Sequence, residues 1–141
     1  MNITFSRRLA IIIGIILPIA ETFRRWGTGG FLPWWLDDYL IATFLLYAAW
    51  RNRKGAANDP RYLSAAWAFA CGIGYMSFFG HLENIEQPDP ASIPHVWVTG
   101  IIGVGWLLTI LGLATSLRAH AQKEHMPNNT LNPDAQKRRA G

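Results

Sequence analysis

Cysteine is nearly absent from this chain, which contains only Cys71 among its 141 residues. A single thiol cannot form a disulfide within one chain, so the small disulfide-stabilised domains typical of secreted proteins are excluded. Cys71 lies in an apolar stretch among small residues. We therefore interpret it as a packing residue.

Recognisable catalytic motifs are absent as well. The sequence has no glycine-rich phosphate loop that ends in Lys and Ser or Thr, and no HExxH zinc motif. Its two Gly-x-Gly triplets, at 72–74 and 103–105, lie inside apolar stretches, where neither is a nucleotide loop. Ser77 and His81 are four residues apart, but no acid is evident that could orient the imidazole. We predict no catalytic residue.

Charged residues are scarce. They make up 16% of the chain, whereas hydrophobic residues make up 50% and seven residues are Trp. The apolar residues form four blocks separated by polar segments, and this grouping indicates a membrane protein. The formal net charge of +4 would also suit a nucleic-acid-binding protein. We exclude that class because the Lys and Arg residues lie between and beyond the apolar blocks, where they set membrane orientation.

The four blocks predict an all-α membrane protein, an antiparallel bundle of four transmembrane helices. Trp26 and Trp97 fall at one predicted membrane interface, and Trp50 and Tyr62 fall at the other, the level that amphipathic aromatic rings favour. The membrane domain covers residues 1–118, and a polar, basic tail covers residues 119–141. The predicted spans are approximately 9–26, 33–50, 61–81 and 95–117.

The distribution of charge predicts the orientation of these spans. Four crossings would place eleven Lys and Arg with three Asp and Glu on one side, and two with six on the other. Basic flanks remain in the cytoplasm, so we expect both termini inside and a multi-pass protein of a bacterial inner membrane. Arg24 and Arg25 are exceptions on the outer side, and we expect nearby carboxylates to pair with them.

Small residues at four-residue spacing predict where the third and fourth helices meet. In lipid, close packing replaces the hydrophobic effect as the force that joins helices, and small side chains permit it. A substrate groove lined by the glycines is an alternative interpretation. The proposed packing residues are Ser64, Ala68, Gly72, Ala66, Ala70 and Gly74 on the third helix, and Thr99, Gly103, Gly105, Thr109, Gly112 and Ser116 on the fourth.

The most informative polar residue is Glu21, which lies about 18 Å along the first helix from Leu9. A carboxylate at that depth is costly unless it is paired or hydrated. Arg24 and Arg25 lie one turn further on and can reach back to it. Asp37 and Asp38 begin the second helix and could also bind these arginines. We interpret the cluster as a structural clamp of the first hairpin, or as a pocket for an ion, a proton or an anionic substrate.

A second group of polar residues joins the third and fourth helices on the predicted outer side. His81 ends one helix and His95 begins the next, with Glu83 close to His81 in sequence. Imidazole and carboxylate could together bind Zn²⁺ or a similar ion, and two histidines could hold a haem. The spacing matches no known ligand motif, so solvated interfacial side chains are the simpler interpretation. We predict no cofactor and keep a metal or a haem as the alternative.

Three functions remain open from the sequence. The absence of a catalytic set and the basic tail favour a non-catalytic accessory or scaffold subunit that contacts the bilayer, other membrane-protein subunits or a second copy of itself. The alternative is a small proton- or ion-coupled transporter that uses the Glu21 cluster at the outer mouth. A redox subunit that binds metal or haem through His81 and His95 is the third possibility.

Overall fold

A computed structural model describes residues 3–26, 33–53, 60–86 and 94–124, without the side chains of residues 25, 33–35, 123 and 124. These ranges form four α-helices and no strand. Each predicted span lies in one helix, whereas most of the predicted tail, 125–141, lies outside the described residues. The helices are α1 (Ile3–Arg25), α2 (Pro33–Arg51), α3 (Pro60–Glu83) and α4 (His95–Glu124).

The helix ends follow local sequence chemistry. Pro33 and Pro60 are the first residues of α2 and α3, where a missing backbone N–H costs nothing and the fixed φ suits the helix. α4 continues to Glu124, so the first residues of the predicted tail are helical. Residues 118–124 contain Arg, Ala, Gln, Lys and Glu, which are strong helix formers.

Three of the four described helices, α1, α3 and α4, are long and apolar enough to cross a membrane. Two acidic residues, Asp37 and Asp38, interrupt the apolar stretch of α2 near its beginning. In the three apolar helices, only 17% to 22% of the residues in the most apolar stretch are buried within the protein. Water would penalise so much exposed apolar surface, whereas lipid would not. The helices therefore indicate a membrane protein.

Consecutive helices pack side by side and antiparallel. Residues early in α1 lie beside the end of α2, and residues late in α1 lie beside the beginning of α2. α3 and α4 pack in the same antiparallel way. The α3–α4 interface is the most extensive, α1 also packs against α4 and α3, and α2 does not touch α4 within the described residues. The pairs that fix this register are Arg7 with Asn52, Gly14 with Leu46 and Thr22 with Tyr39, and Ser64 with Ser116, Gly74 with Trp106 and Gly103 with Phe78.

The buried core lies toward the end of the bundle that holds the beginning of α1. Five of its nine members are Ala, whose small side chain allows helix backbones to approach closely. Trp67 is the largest fully buried side chain, so this deep tryptophan packs inside the bundle. The core consists of Ala10, Ile41, Leu45, Ala48, Ala49, Leu63, Ala66, Trp67 and Ala70.

Candidate functional site

The carboxylate of Glu21 is held by both of its oxygens. Arg24 Nε donates to Oε2 at 2.9 Å, and an Arg24 terminal nitrogen donates to Oε1 at 3.0 Å. The residues are three apart, so one helix places both groups on the same face. Glu21 is 8% exposed, and a two-pronged, charge-assisted contact satisfies a buried carboxylate better than a single hydrogen bond does.

The remaining members of the predicted cluster differ in their exposure. Asp37 is exposed on α2, and Asp38 is half-buried. The backbone of Arg25 belongs to α1, but its side chain is outside the described residues. The structure therefore brings Glu21 and Arg24 together.

A hydroxyl pair joins α1 and α2 one residue beyond Glu21, and sequence reasoning missed it. Thr22 Oγ1 lies 2.6 Å from the Tyr39 hydroxyl and 2.6 Å from the carbonyl oxygen of Pro18. Because a carbonyl only accepts, Thr22 donates to Pro18 and accepts from Tyr39. The sequence carried a usable signal for this contact, because residues at similar distances from the connection of two antiparallel helices lie beside each other. Thr22 and Tyr39 are equally distant from residues 30 and 31, respectively.

A shallow apolar groove of about 280 Å³ lies beside this hydroxyl pair. Neither Glu21 nor Arg24 lines it. A pocket for an ion or an anion would present charged groups to the bound species, and this groove presents a proline, an isoleucine and a phenylalanine around two hydroxyls. It is lined by Pro18, Ile19, Thr22, Phe23 and Tyr39.

His81 and His95 meet where α3 ends and α4 begins. Their ring centroids are 5.2 Å apart, with the ring planes inclined at 57°. His81 Nδ1 lies 2.8 Å from the carbonyl oxygen of Ser77. The carbonyl can only accept, so Nδ1 carries the proton and Nε2 of a neutral His81 keeps its lone pair. His95 Nε2 is shielded from solvent.

The predicted metal ligands are only partly assembled. Glu83 is exposed, and among the described side chains no three of His, Cys, Asp and Glu are grouped so that they could hold a metal ion. A metal–imidazole bond of about 2 Å would separate the centroids of two rings on opposite faces of a haem by roughly 6 Å. The separation of 5.2 Å between His81 and His95 is shorter, so their present arrangement does not fit a haem between them.

Hydroxyl groups carry polar contacts across the α3–α4 interface. Ser64 donates to Ser116 Oγ at 3.1 Å, and Ser116 donates to the carbonyl of Leu113. The Cys71 thiol donates to Thr109 Oγ1 at 3.2 Å, and Thr109 donates to the carbonyl of Trp106. Ser116 and Thr109 thus each accept a hydrogen bond from α3 and donate one to their own helix, so both hydroxyls are satisfied in an apolar setting.

A related contact brings in α1. The indole nitrogen of Trp67 donates to Ser6 Oγ at 2.8 Å, and Ser6 donates to the carbonyl of Gly112 at 3.1 Å. Trp67 and Ser6 are both fully buried. One hydroxyl therefore joins three helices and provides the hydrogen-bond partner that a buried indole requires.

Three glycines, Gly74 of α3 and Gly103 and Gly112 of α4, face aromatic rings of the neighbouring helix. A Cβ at Gly112 would overlap the indole of Trp67, and one at Gly103 would lie 2.8 Å from the ring of Phe78. In the opposite direction, Trp106 of α4 packs on Gly74 of α3. The helices interlock by placing a large ring over each of these glycines.

The proposed packing residues separate into two groups in the structure. Ala66 and Ala70 are buried in the core, and Thr99 is buried on α4. In contrast, Ala68 and Gly72 lie on an exposed side of α3. A Cβ at Gly72 or at Gly105 would have no neighbour within 4 Å among the described residues. The surface of α3 that faces α4 therefore follows Ser64, Trp67, Cys71, Gly74 and Phe78, at alternating spacings of three and four.

Comparison with known proteins returned no relationship: no protein-family model, no curated protein and no solved structure matches this chain.

Proposed function

We propose that the protein is a four-span protein of a bacterial inner membrane, with both termini in the cytoplasm, and that it acts as a non-catalytic accessory or scaffold subunit. The observation that carries the functional part is the Glu21–Arg24 pair. Both carboxylate oxygens bind one guanidinium within the same helix, so this buried acidic side chain serves to hold structure.

The charges of the described helices support the proposed orientation. The end of the bundle that holds Arg7 and Arg53 also holds Arg8, Arg51, Arg61 and Arg118. Glu21, Asp37 and Glu83 lie toward the other end, where Arg24 and Arg25 are the basic exceptions. Basic flanks are retained in the cytoplasm. The apolar faces exposed along the helices would contact lipid and partner subunits or a second copy of the chain.

The partner is tested by isolation in a gentle detergent from a bacterial host. We expect a second membrane subunit, or a second copy of this chain, to remain at fixed stoichiometry, measured by native mass spectrometry. A protomer that is always isolated alone, at several detergent concentrations, would contradict the scaffold role.

A small proton- or ion-coupled transporter is the second candidate, favoured by the position of Glu21 in an apolar helix. The substitution Glu21→Gln separates the two functions. A clamp predicts that Glu21→Gln lowers the unfolding temperature, because the partly buried Arg24 then faces a neutral amide instead of a carboxylate. It also predicts that Arg24→Gln, combined with Glu21→Gln, recovers part of the loss.

The transporter predicts a different result for the same substitution. Glu21→Gln would then abolish proton or substrate flux in reconstituted vesicles while the folded protein stayed as stable as the parent. Loss of flux without loss of stability would overturn the clamp. Asp37→Asn is the matched control, since Asp37 is an exposed acid on the facing helix, and we expect it to change the unfolding temperature little.

A redox subunit that binds metal or haem through His81 and His95 is the third candidate. The proximity of the two rings favours it, while their separation argues against haem. Metal analysis and an absorbance spectrum of the protein purified without chelators test it directly.

A further inference from the structure

We propose that the groove between the basic ends of α1 and α2 binds an anionic phospholipid, with the headgroup phosphate between two arginines and an acyl chain along the apolar floor. This inference rests on the membrane setting proposed above. The groove has a volume of about 370 Å³. It is lined by Arg7, Ile11, Leu46, Ala49, Trp50 and Arg53.

The two arginines line the same opening, Arg7 from α1 and Arg53 from the segment that follows α2. A terminal nitrogen of Arg7 donates to the backbone carbonyl of Asn52 at 3.2 Å, which anchors the guanidinium beside the end of α2. Arg53 follows Asn52 in the chain and is exposed. A guanidinium has five N–H donors, so the contact with Asn52 leaves Arg7 with further donors for a phosphate oxygen.

The floor of the groove has the chemistry of a lipid chain. Ile11 lies one helical turn beyond Arg7, and Leu46 lies one turn before Trp50, so apolar surface extends about 6 Å from the basic rim toward the middle of each helix. Trp50 is exposed at the rim, at the level where tryptophan meets lipid headgroups. A water-soluble anion would use the arginines but not this apolar floor.

The two sequence segments that surround the groove carry only positively charged residues. Residues 1–20 and 39–58 contain Arg7, Arg8, Arg51, Arg53 and Lys54 and no acidic residue. Arg51 lies over the ring of Tyr62 at 5.6 Å and so turns toward α3. The basic rim thus complements an anionic headgroup, as pockets between membrane helices on the cytoplasmic side do for cardiolipin and phosphoinositides.

The test measures which lipid the detergent-solubilised, full-length protein retains. Phosphatidylglycerol and phosphatidylcholine with identical acyl chains are supplied in equal amounts, and bound lipid is counted by native mass spectrometry. We expect phosphatidylglycerol to be retained at about one per protomer, in preference to phosphatidylcholine. One arginine near the membrane surface contributes about a fivefold preference, so two contribute roughly twenty-five-fold.

Matched variants locate the site. Arg53→Gln should reduce the preference for phosphatidylglycerol about fivefold, while Arg8→Gln, which removes the same charge from a residue outside the groove, should leave it unchanged. Ile11→Trp should lower the retention of phosphatidylglycerol by filling the floor. Ile15→Trp, one turn further along α1 and outside the groove, should not.

Three results would overturn the inference. These are equal retention of the two lipids, an equal loss in Arg8→Gln and Arg53→Gln, and displacement of the lipid by millimolar inorganic phosphate, which would indicate a site for a soluble anion. The membrane setting is checked separately by extraction of cell membranes at alkaline pH. A protein that resists extraction yet retains neither lipid would refute the groove and keep the membrane protein.

Discussion

The glycines of α4 differ in whether a side chain of α3 packs directly against them. Gly112 lies directly against the fully buried indole of Trp67, whereas Gly105 on the same helix has open space where a Cβ would point. The buried ring has no room to move aside, because neighbouring core residues surround it. Substitution by Ala should therefore destabilise the protein at Gly112 but not at Gly105.

We expect Gly112→Ala to destabilise the protein by about 1–3 kcal/mol, the usual cost of forcing an extra carbon into a packed core. Gly105→Ala should be neutral or slightly stabilising, because it adds helix propensity without a clash. The measurement is reversible unfolding in mixed micelles at increasing denaturing detergent. Equal effects at the two positions would show that Trp67 does not pack on α4 as described.

The hydroxyl of Ser6 accounts for a second prediction at this scale. Ser6→Ala removes the acceptor of the Trp67 indole N–H and leaves that group buried without its partner, which costs about 1–3 kcal/mol. Trp67→Phe removes the donor and leaves a smaller ring. Because the two substitutions delete the same contact, the double variant should lose less stability than the sum of the single variants.

The control for this cycle is Ser64→Ala combined with Trp67→Phe. Ser64 bonds to Ser116 and belongs to a different hydrogen bond, so the two effects should add. Non-additivity of about the same size in both double variants would point to a general loosening of the core and would refute the Ser6–Trp67 bond.

The contacts of individual residues could be predicted from the sequence where the two partners are close together in the chain. The Glu21–Arg24 pair follows from a three-residue spacing on one helix, and the spacing was sufficient. The Ser6–Trp67 bond joins residues that are 61 positions apart, and no periodic pattern connects them. Likewise, the four-residue rows of small residues predicted a contact at Ala68 and Gly72, which the structure places on an exposed side of α3.

For the helix α3, the incorrect prediction of a contact at Ala68 and Gly72 has a physical cause. Most residues in a membrane helix are apolar or small, so the pattern of polarity that identifies the buried side of a helix in water is largely missing. Large aromatic residues then decide the contact. Trp67, Trp106 and Phe78 pack on glycines of the facing helix. A search restricted to small residues identifies the glycine of each pair but not the aromatic residue.

The helices themselves were well determined by the sequence because their signals are strong and local. Largely apolar blocks of about 18 residues or more, prolines at the first turn of α2 and α3, and basic residues after α2 indicate four helices. The end of α4 was less certain, since a membrane span ends at the first charge but a helix need not. Arg118 therefore marks the predicted end of the span, while the helix continues to Glu124.

For the whole molecule, the open question is whether α2 crosses the bilayer, because its two aspartates lower its hydropathy. Its contacts with α1 support the proposed fourth crossing. The α2 segment meets α1 at Asn52 with Arg7, just after the helix ends, and again at Tyr39 with Thr22, so the two helices run beside each other over roughly four turns. We therefore expect α2 to cross the same depth of bilayer as α1, with its exposed Asp37 at one end.

The number of crossings then fixes the positions of all the connections. Four crossings place the α1–α2 and α3–α4 connections outside and the α2–α3 connection inside, whereas three crossings would place the first two connections on one side and separate the termini. To test this, Cys71→Ser removes the native thiol and keeps a hydroxyl that can donate to Thr109. Single cysteines are then introduced as Thr28→Cys, Ala57→Cys and Ser92→Cys.

We expect a membrane-impermeant maleimide to label Thr28→Cys and Ser92→Cys in spheroplasts, and to label Ala57→Cys only after lysis, because the basic segment around it is retained in the cytoplasm. Labelling is read from the mass shift of the purified protein, and a cytoplasmic enzyme with an exposed thiol reports whether the membrane stayed intact. If Thr28→Cys and Ala57→Cys react alike in spheroplasts that pass this control, α2 does not cross. The basic groove at its end would then lie in a different environment from the one that an anionic lipid occupies.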